Sequence, residues 1–379
     1  MFCLKKKVKT KSASLALLKL KDDLKKRSNG KAFVKKDHLS SEESKLLNQI
    51  RIQTNIKNEN NITRTKAYFD IYSFHPEIHW SFLGHMVSRN GGWNMTDLKG
   101  EFFSKLLNKQ EQIDFFGFLE RGNWLIFQDV YPQFLLYKES LKRNRNLFYL
   151  LSFLNVSEFM EAVWNNFWKY RDSYVLAIAL IINEQSYLEK RVIQNEIFHK
   201  NVFEKIEFKL QDILSLNHIL FPFYNANLSH PLIGQTLHRF DSLHERILLG
   251  KRLYAVLFHP ENLKNIFKWS KINPHTGSRK DYWPHLFNDI NEDNPSRIPK
   301  LKIKNCRLRK DATRIYSPSL QYAWPNASHK KAETGDWFHD WKIIRYFDDI
   351  GKVSGEVEDD YCETLKKIEL AAFAKETFF

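Results

Sequence analysis

Residues 75 to 97 read HPEIHWSFLGHMVSRNGGWNMTD, with three His, an Arg, two Asn, an Asp and two Trp gathered around a double glycine. His75 and His79 are four apart, the spacing that presents two imidazoles on one side of a helix to a metal ion. Pro76 sets His75 at the helix edge, the acid stands at position 77 rather than in an H-E-x-x-H arrangement, and no third ligand is indicated. Capping and packing histidines are therefore the reading, with a metal at His75 and His79 as the alternative. In Arg89-Asn90-Gly91-Gly92-Trp93-Asn94, a glycine after a helix supplies a left-handed C-cap and Asn94 supplies the next N-cap. The functional alternative is a helix starting near Met95, whose free backbone N–H groups, with Arg89, would hold a carboxylate or phosphate. Helix punctuation leaves Arg89 and Trp93 unexplained.

A second concentration of functional groups is NPHTGSRKDYWPH, residues 273 to 285. His275, Thr276, Ser278, Arg279, Asp281 and His285 place hydroxyls, a fork donor and acid-base groups on one loop between Pro274 and Pro284. Loops of this kind carry sites; the alternative is a surface loop anchored by Tyr282 and Trp283. A third point is the end of YVLAIALII, 174 to 182, where Asn183 and Glu184 follow the most apolar run in the chain. An ionised carboxylate in a dry interior costs several kcal/mol unless paired or protonated. Glu184 thus calls for Arg89, Arg121 or Arg279, as a structural ion pair or as a pocket-lining acid with a shifted pKa. Glu196 with His199, and Asp241 with His244, have carboxylate-x-x-His spacing suited to a di-iron bundle, but a chain with 14 His and 44 acids yields such pairs by chance.

The elements that position these groups read as helices. With 11 Pro and 13 Gly in 379 residues and few hairpin signals, the fold is expected to be mostly α: one large multi-helix domain, an extended irregular segment wrapped on it, and little or no sheet. SSEES at 40 to 44 caps a helix to about Asn55. Helical patterns follow from Arg64 to Tyr72, from Pro76 to Asn90-Gly91-Gly92, and from Asn94 to about Leu107. Residues 113 to 143 read as buried, with Gly122 and Pro132 as breaks, and Tyr174 to Ile182 as a central helix apolar all round. Residues 203 to 221 and 236 to 258 read as amphipathic helices, 288 to 336 as irregular, and 348 to 361 as an acidic linker before a short C-terminal helix. The boundaries are a basic flexible leader over 1–39, a helical domain over 40–347, and the linker with its helix over 348–379.

The net charge of +15 is uneven. Residues 1 to 66 carry 18 Lys and Arg against 6 Asp and Glu, leaving 41 against 38 for the remainder. The leader is thus either a solvated extension or an arm making weak, nonspecific contact with nucleic acid or anionic lipid. Leu15, Leu17, Leu18, Leu20 and Leu24 allow it one amphipathic helix. No apolar run reaches the roughly 18 residues of a membrane span, Lys19 and Lys21 interrupt any signal-peptide core, and Cys3, Cys306 and Cys362 suggest neither a disulfide framework nor a zinc site. These features point to a soluble protein in a reducing cytoplasm. The chain has no G-x-G-x-x-G, G-x-x-x-x-G-K-[ST], G-x-S-x-G or C-x-x-C, which removes ordinary dinucleotide, P-loop, α/β-hydrolase and thioredoxin chemistry.

RTKAYFDIY (64 to 72), HPEIHWSFLGHMVSRNGGWNMTDLKG (75 to 100), FFGFLERGNWLIFQDVYPQFLLY (115 to 137) and PHTGSRKDYWPHLF (274 to 287) together resemble a bacterial family classed as a domain of unknown function, over about residues 60 to 345. That resemblance implies no activity, cofactor or partner. From the residues alone, the expectation is a polar pocket for a small anionic ligand, lined by Arg89, Trp93, Asn183, Glu184, Arg279, Asp281 and His285, with no reaction or cofactor assigned. The alternative is a scaffold that uses its basic leader on nucleic acid or an anionic membrane face.

Overall fold

The computed structural model describes residues 14–29, 38–198, 200, 218–225, 231–237, 239–293, 300–348 and 350–378. Helices dominate, and the sheets among the described residues are two-stranded. At the centre lies α8 (Ser173–Leu188), in which every residue from Val175 to Asn183 is buried. A helix apolar all round is stable only with neighbours on every side. Around it pack α4 (His79–Asp97), α6 (Lys109–Lys142), α7 (Glu158–Tyr170) and the Leu243–Leu257 helix. α3 (Asn61–Phe74) folds back on α4 and completes the inner layer.

Two expected interruptions are absent. α4 runs without a break through Gly91 and Gly92 to Asp97. Gly92 serves packing instead, since a Cβ there would lie 2.6 Å from Asn61 Oδ1 and 2.7 Å from the His275 ring. No helix starts near Met95, so the free N–H groups of the anion-site reading do not exist there; Asn94 lies inside α4, not at an N-cap. Likewise α6 is one helix of 34 residues that passes through Gly122 and Pro132, opened by an Asn108–Glu111 capping box. An interior proline costs roughly 3 kcal/mol and a glycine about 1. Fully burying Phe127, Val130, Phe134 and Leu136, at roughly 1.5–3 kcal/mol for each side chain, outweighs both.

A further difference lies at 218–236. His218–Pro222 and Leu232–Thr236 form an antiparallel pair, β1 and β2, with Leu220 opposite Gly234. A Cβ at Gly234 would sit 2.0 Å from the Ile219 carbonyl oxygen, so glycine permits that close pairing. The helix expected at 203–221 falls mostly outside the described residues; its end is strand β1. The helix expected from 236 begins at Leu243.

Within the leader, α1 (Leu15–Ser28) packs Leu20 and Leu24 against the body at α7, and Arg27 pairs with Glu161 at 3.4 Å. The Leu20 and Leu24 side of the helix is thereby covered, while Leu15 and Leu18 stay exposed. Lys5, Lys6, Lys7 and Lys9 lie outside the described residues. The C-terminal helix, Glu358–Phe378, buries Tyr361, Leu365, Ile368 and Ala372. Cys306 and Cys362 are joined in a disulfide, with Cα atoms 5.6 Å apart, clipping that helix to the turn after Ile303–Lys304. This corrects the sequence reading, which saw no disulfide, because two cysteines far apart in the chain announce no partner. No helix among the described residues is long and apolar enough to cross a membrane.

Candidate functional site

The polar pair ending α8 divides because consecutive helical residues point about 100° apart. Asn183 turns toward α6, where its Nδ2 donates to Asp129 Oδ2 at 2.5 Å while its Oδ1 accepts from Trp337 Nε1 at 2.9 Å. Gln133 also donates to Asp129 Oδ2, at 3.1 Å. Burial raises the Asp129 carboxyl to about 7, against the opposing pull of Asn183 and Arg191. Asn183 is thus a bracing group for a buried acid.

Glu184 faces a cavity of about 220 Å³ between α3, α4, α6, α8 and the Leu243–Leu257 helix. Its walls are mainly apolar: Leu83, Phe118, Ile126, Ile181, Leu188 and Leu253 among them. The side chain is only half-buried by surface area, because part of it is cavity wall. Desolvation by the surrounding side chains lifts its carboxyl from 4.5 to about 7, with Trp80, Gln185 and Arg246 pulling the other way. Gln185 Nε2 donates to Glu184 Oε1 at 2.8 Å. The Trp80 indole lies beside the carboxyl, but its buried Nε1 makes no hydrogen bond of acceptable geometry.

Three helical glycines, Gly84, Gly122 and Gly250, line this space. Gly84 and Gly250 admit close neighbours, Trp80 and Ile181, whereas a Cβ on Gly122 would meet nothing within 4 Å. Arg246 closes one wall with its donors occupied. Nε donates to Gln185 Oε1 at 3.0 Å, Nη1 to the Phe240 carbonyl at 2.7 Å, and Nη2 is paired with Glu189.

The other expected residues lie elsewhere. Arg89 is fully buried, donates to the carbonyls of Asn273 and Pro274 at 2.8 and 3.2 Å, and stacks 4.6 Å above the Trp269 ring. Asp281 is 4.0 Å from it and accepts from the Thr276 backbone and hydroxyl at 2.7 and 2.8 Å. Burial raises the Asp281 carboxyl, but His275, Arg89 and the Thr276 N–H together more than offset this and hold it below its ordinary value. Arg279 pairs with Asp97 at 2.5 Å, donates to the Tyr361 hydroxyl at 2.7 Å, and lies 4.3 Å above the Trp93 ring. His285 is exposed beside Trp283, at 6.0 Å between ring centres.

The structure therefore brings 75–97 and 274–285 together, as a packed seam in which Arg89 and Arg279 each hold the loop to α4. Glu184 stands apart: none of Arg89, Trp93, Arg279, Asp281 or His285 lines its cavity. Nor does Arg121 neutralise it, since that side chain donates to the Lys330 carbonyl at 2.7 Å. His75 lies 3.4 Å from Glu77, and His79 shares a 2.8 Å hydrogen bond with the Tyr254 hydroxyl, so the two imidazoles have separate partners. His244 packs on the Tyr346 ring, and His199 falls outside the described residues. No group of three or more His, Cys, Asp and Glu able to hold a metal occurs among the described residues.

Tyr68, Trp80, Phe118, Gln185, Phe240 and Arg246 escaped the sequence reading. One signal for them was present. Glycines in the interiors of three amphipathic patterns mark places where helices approach closely or leave space.

The family model described as "Protein of unknown function (DUF2515)" matches residues 56–359. The chain is also 41% identical over 296 residues to a protein of Bacillus subtilis (strain 168) described as "Uncharacterized protein YppC", covering 78% of this chain and 84% of that protein. No solved structure matches it.

Proposed function

Since the chain belongs to the DUF2515 family, whose description names no activity, we propose from its own geometry that it binds a small molecule with an apolar body and one polar head in the cavity beside Glu184. The observation that carries this is a carboxyl group facing an otherwise largely apolar space of about 220 Å³. Apolar pockets with a few convergent polar groups and a perturbed acid are where ligands bind. The anionic ligand expected from the sequence fits less well, because Arg89 and Arg279 are bound to loop carbonyls, Asp97 and Tyr361, and Glu184 would repel a negative head.

The test is to fill the space. Gly122→Phe directs a ring into it without displacing a neighbour at the Cβ. Native mass spectrometry of the purified protein should find a retained small molecule, or a metabolite library should raise the wild-type melting temperature. A ligand at about 100 times its dissociation constant adds about 2.7 kcal/mol. Both effects should vanish in Gly122→Phe. Hits that stabilise the two proteins equally would place binding elsewhere and remove the proposal.

The sequence's other partner, nucleic acid or anionic lipid met by residues 1–39, draws on lysines outside the described residues. Within α1, Leu20 and Leu24 are used against the body and Leu15 and Leu18 remain exposed, so the contact proposed for this segment is mainly electrostatic. Such a contact should fade steeply between roughly 50 and 200 mM salt. A cytoplasmic setting, the sequence's proposal, requires the Cys306–Cys362 pair to be thiols in the cell. Alkylation at the moment of lysis followed by peptide mapping decides this: a protected pair argues for an oxidising location.

A further inference from the structure

The Glu184 cavity is walled by aromatic rings as well as aliphatic side chains: Tyr68, Trp80, Phe118 and Phe240 all line it. Among the lining residues, Tyr68, Glu184 and Arg246 alone carry titratable groups. Arg246 is matched by Glu189 and by two backbone carbonyls, so its pull on Glu184 is shared with an acid it already pairs with. Tyr68 is a buried neutral phenol, its pKa raised by burial and by the neighbouring Glu184 and Asp129 carboxyls. Glu184 itself meets a neutral amide and a neutral indole. α6 presents Asn123 and apolar groups, β1 presents Ile219, and neither supplies a charge.

A carboxylate so placed is expensive for the protein by itself, because among the described residues the cation that pulls on it, Arg246, is held by Glu189 and offsets its burial only in part. A ligand that carries its own positive charge removes that cost and gains twice, from the carboxylate as counter-ion and from the negative faces of the surrounding rings. Resting on the ligand-cavity reading above, we propose that the ligand is an organic cation: an ammonium group, held by Glu184 among Tyr68, Trp80, Phe118 and Phe240, on a compact apolar body. A cavity of about 150 Å³ holds benzene. On that scale 220 Å³ takes a molecule of roughly nine non-hydrogen atoms.

The probes are 2-phenylethylamine and octylamine as cations, 2-phenylethanol as the neutral isostere and phenylacetate as the anion, titrated into the full chain at pH 8 by calorimetry. The amines should bind at least tenfold more tightly than the alcohol, and phenylacetate should bind most weakly. Glu184→Gln should erase the preference for amine over alcohol while keeping the alcohol's own affinity. Gly122→Phe should abolish binding of all four; if it melts below the wild type, Gly122→Leu replaces it. Amine affinity should also fall about tenfold per pH unit below pH 7, where the carboxyl must give up a proton on binding, whereas the alcohol's should not.

The outcomes separate the two claims. Alcohol bound as tightly as amine, with both lost in Gly122→Phe, overturns the cation and leaves the cavity reading standing. Phenylacetate bound best does the same. Amine binding that persists in Gly122→Phe and its Leu replacement, or no binding of any probe at millimolar concentration, overturns both.

Discussion

Replacing Glu184 with Gln removes one proton equilibrium from the folded protein and should change how stability depends on pH. In the unfolded chain the carboxyl titrates near 4.5, whereas in the fold burial carries it to about 7. Between those values the folded state holds one proton more than the unfolded state, so stability declines as pH rises through the window and is flat above it. Each pKa unit corresponds to about 1.36 kcal/mol, so the displacement amounts to about 3 kcal/mol. The wild type should therefore lose about 3 kcal/mol relative to Glu184→Gln between pH 4.5 and pH 7.5. Urea unfolding of both proteins at half-unit steps, with stability taken from midpoint and slope, measures that difference directly. Asp129, raised from 3.8 to about 7 by the same cause, is present in both proteins and cancels. A difference that stays flat across the window would show that water or a cation reaches Glu184 and that the cavity is not what it is argued to be. One that grows toward acid pH would mean the folded protein favours the carboxylate.

Arg279→Met should leave Asp97 buried without its cation and cost about 3–5 kcal/mol, read as a fall in the urea midpoint; a loss under 1 kcal/mol would mean the Ser317 hydroxyl suffices for Asp97. Gly122→Ala should stabilise the protein by roughly 0.5–1 kcal/mol, since it improves helix propensity and meets nothing. Gly92→Ala should destabilise it by roughly 1–3 kcal/mol through overpacking against Asn61 and His275, and equal melting shifts for these two alanines would contradict the packing described. Leu24→Ala should cost about 2–5 kcal/mol, as for other fully buried leucines, and a neutral result in thermal denaturation would show that α1 is detached in solution.

The amino-acid order by itself determined that the fold is mostly helical and which helix lies at its centre, because periodicity, caps and an unbroken apolar run are local properties. α8 shows this most clearly: the run from Tyr174 to Ile182 demands neighbours on every side whatever they are. It also marked Glu184 as an acid at the edge of the most buried segment. Tertiary structure decided where local signals were outweighed. Gly91, Gly92, Gly122 and Pro132 all read as stops, yet α4 and α6 continue through them, since a penalty of about 1–3 kcal/mol at one residue is small beside the burial of a whole face. It decided partners as well. Arg89 and Arg279 were legible as groups needing an anion or acceptor, but Asn273, Pro274, Asp97 and Tyr361 are met only after folding. One residue's step around α8 sends Asn183 to Asp129 and Glu184 into the cavity. Which side is empty depends on how five elements from distant parts of the chain pack, and that space is a property of their arrangement that no single segment carries.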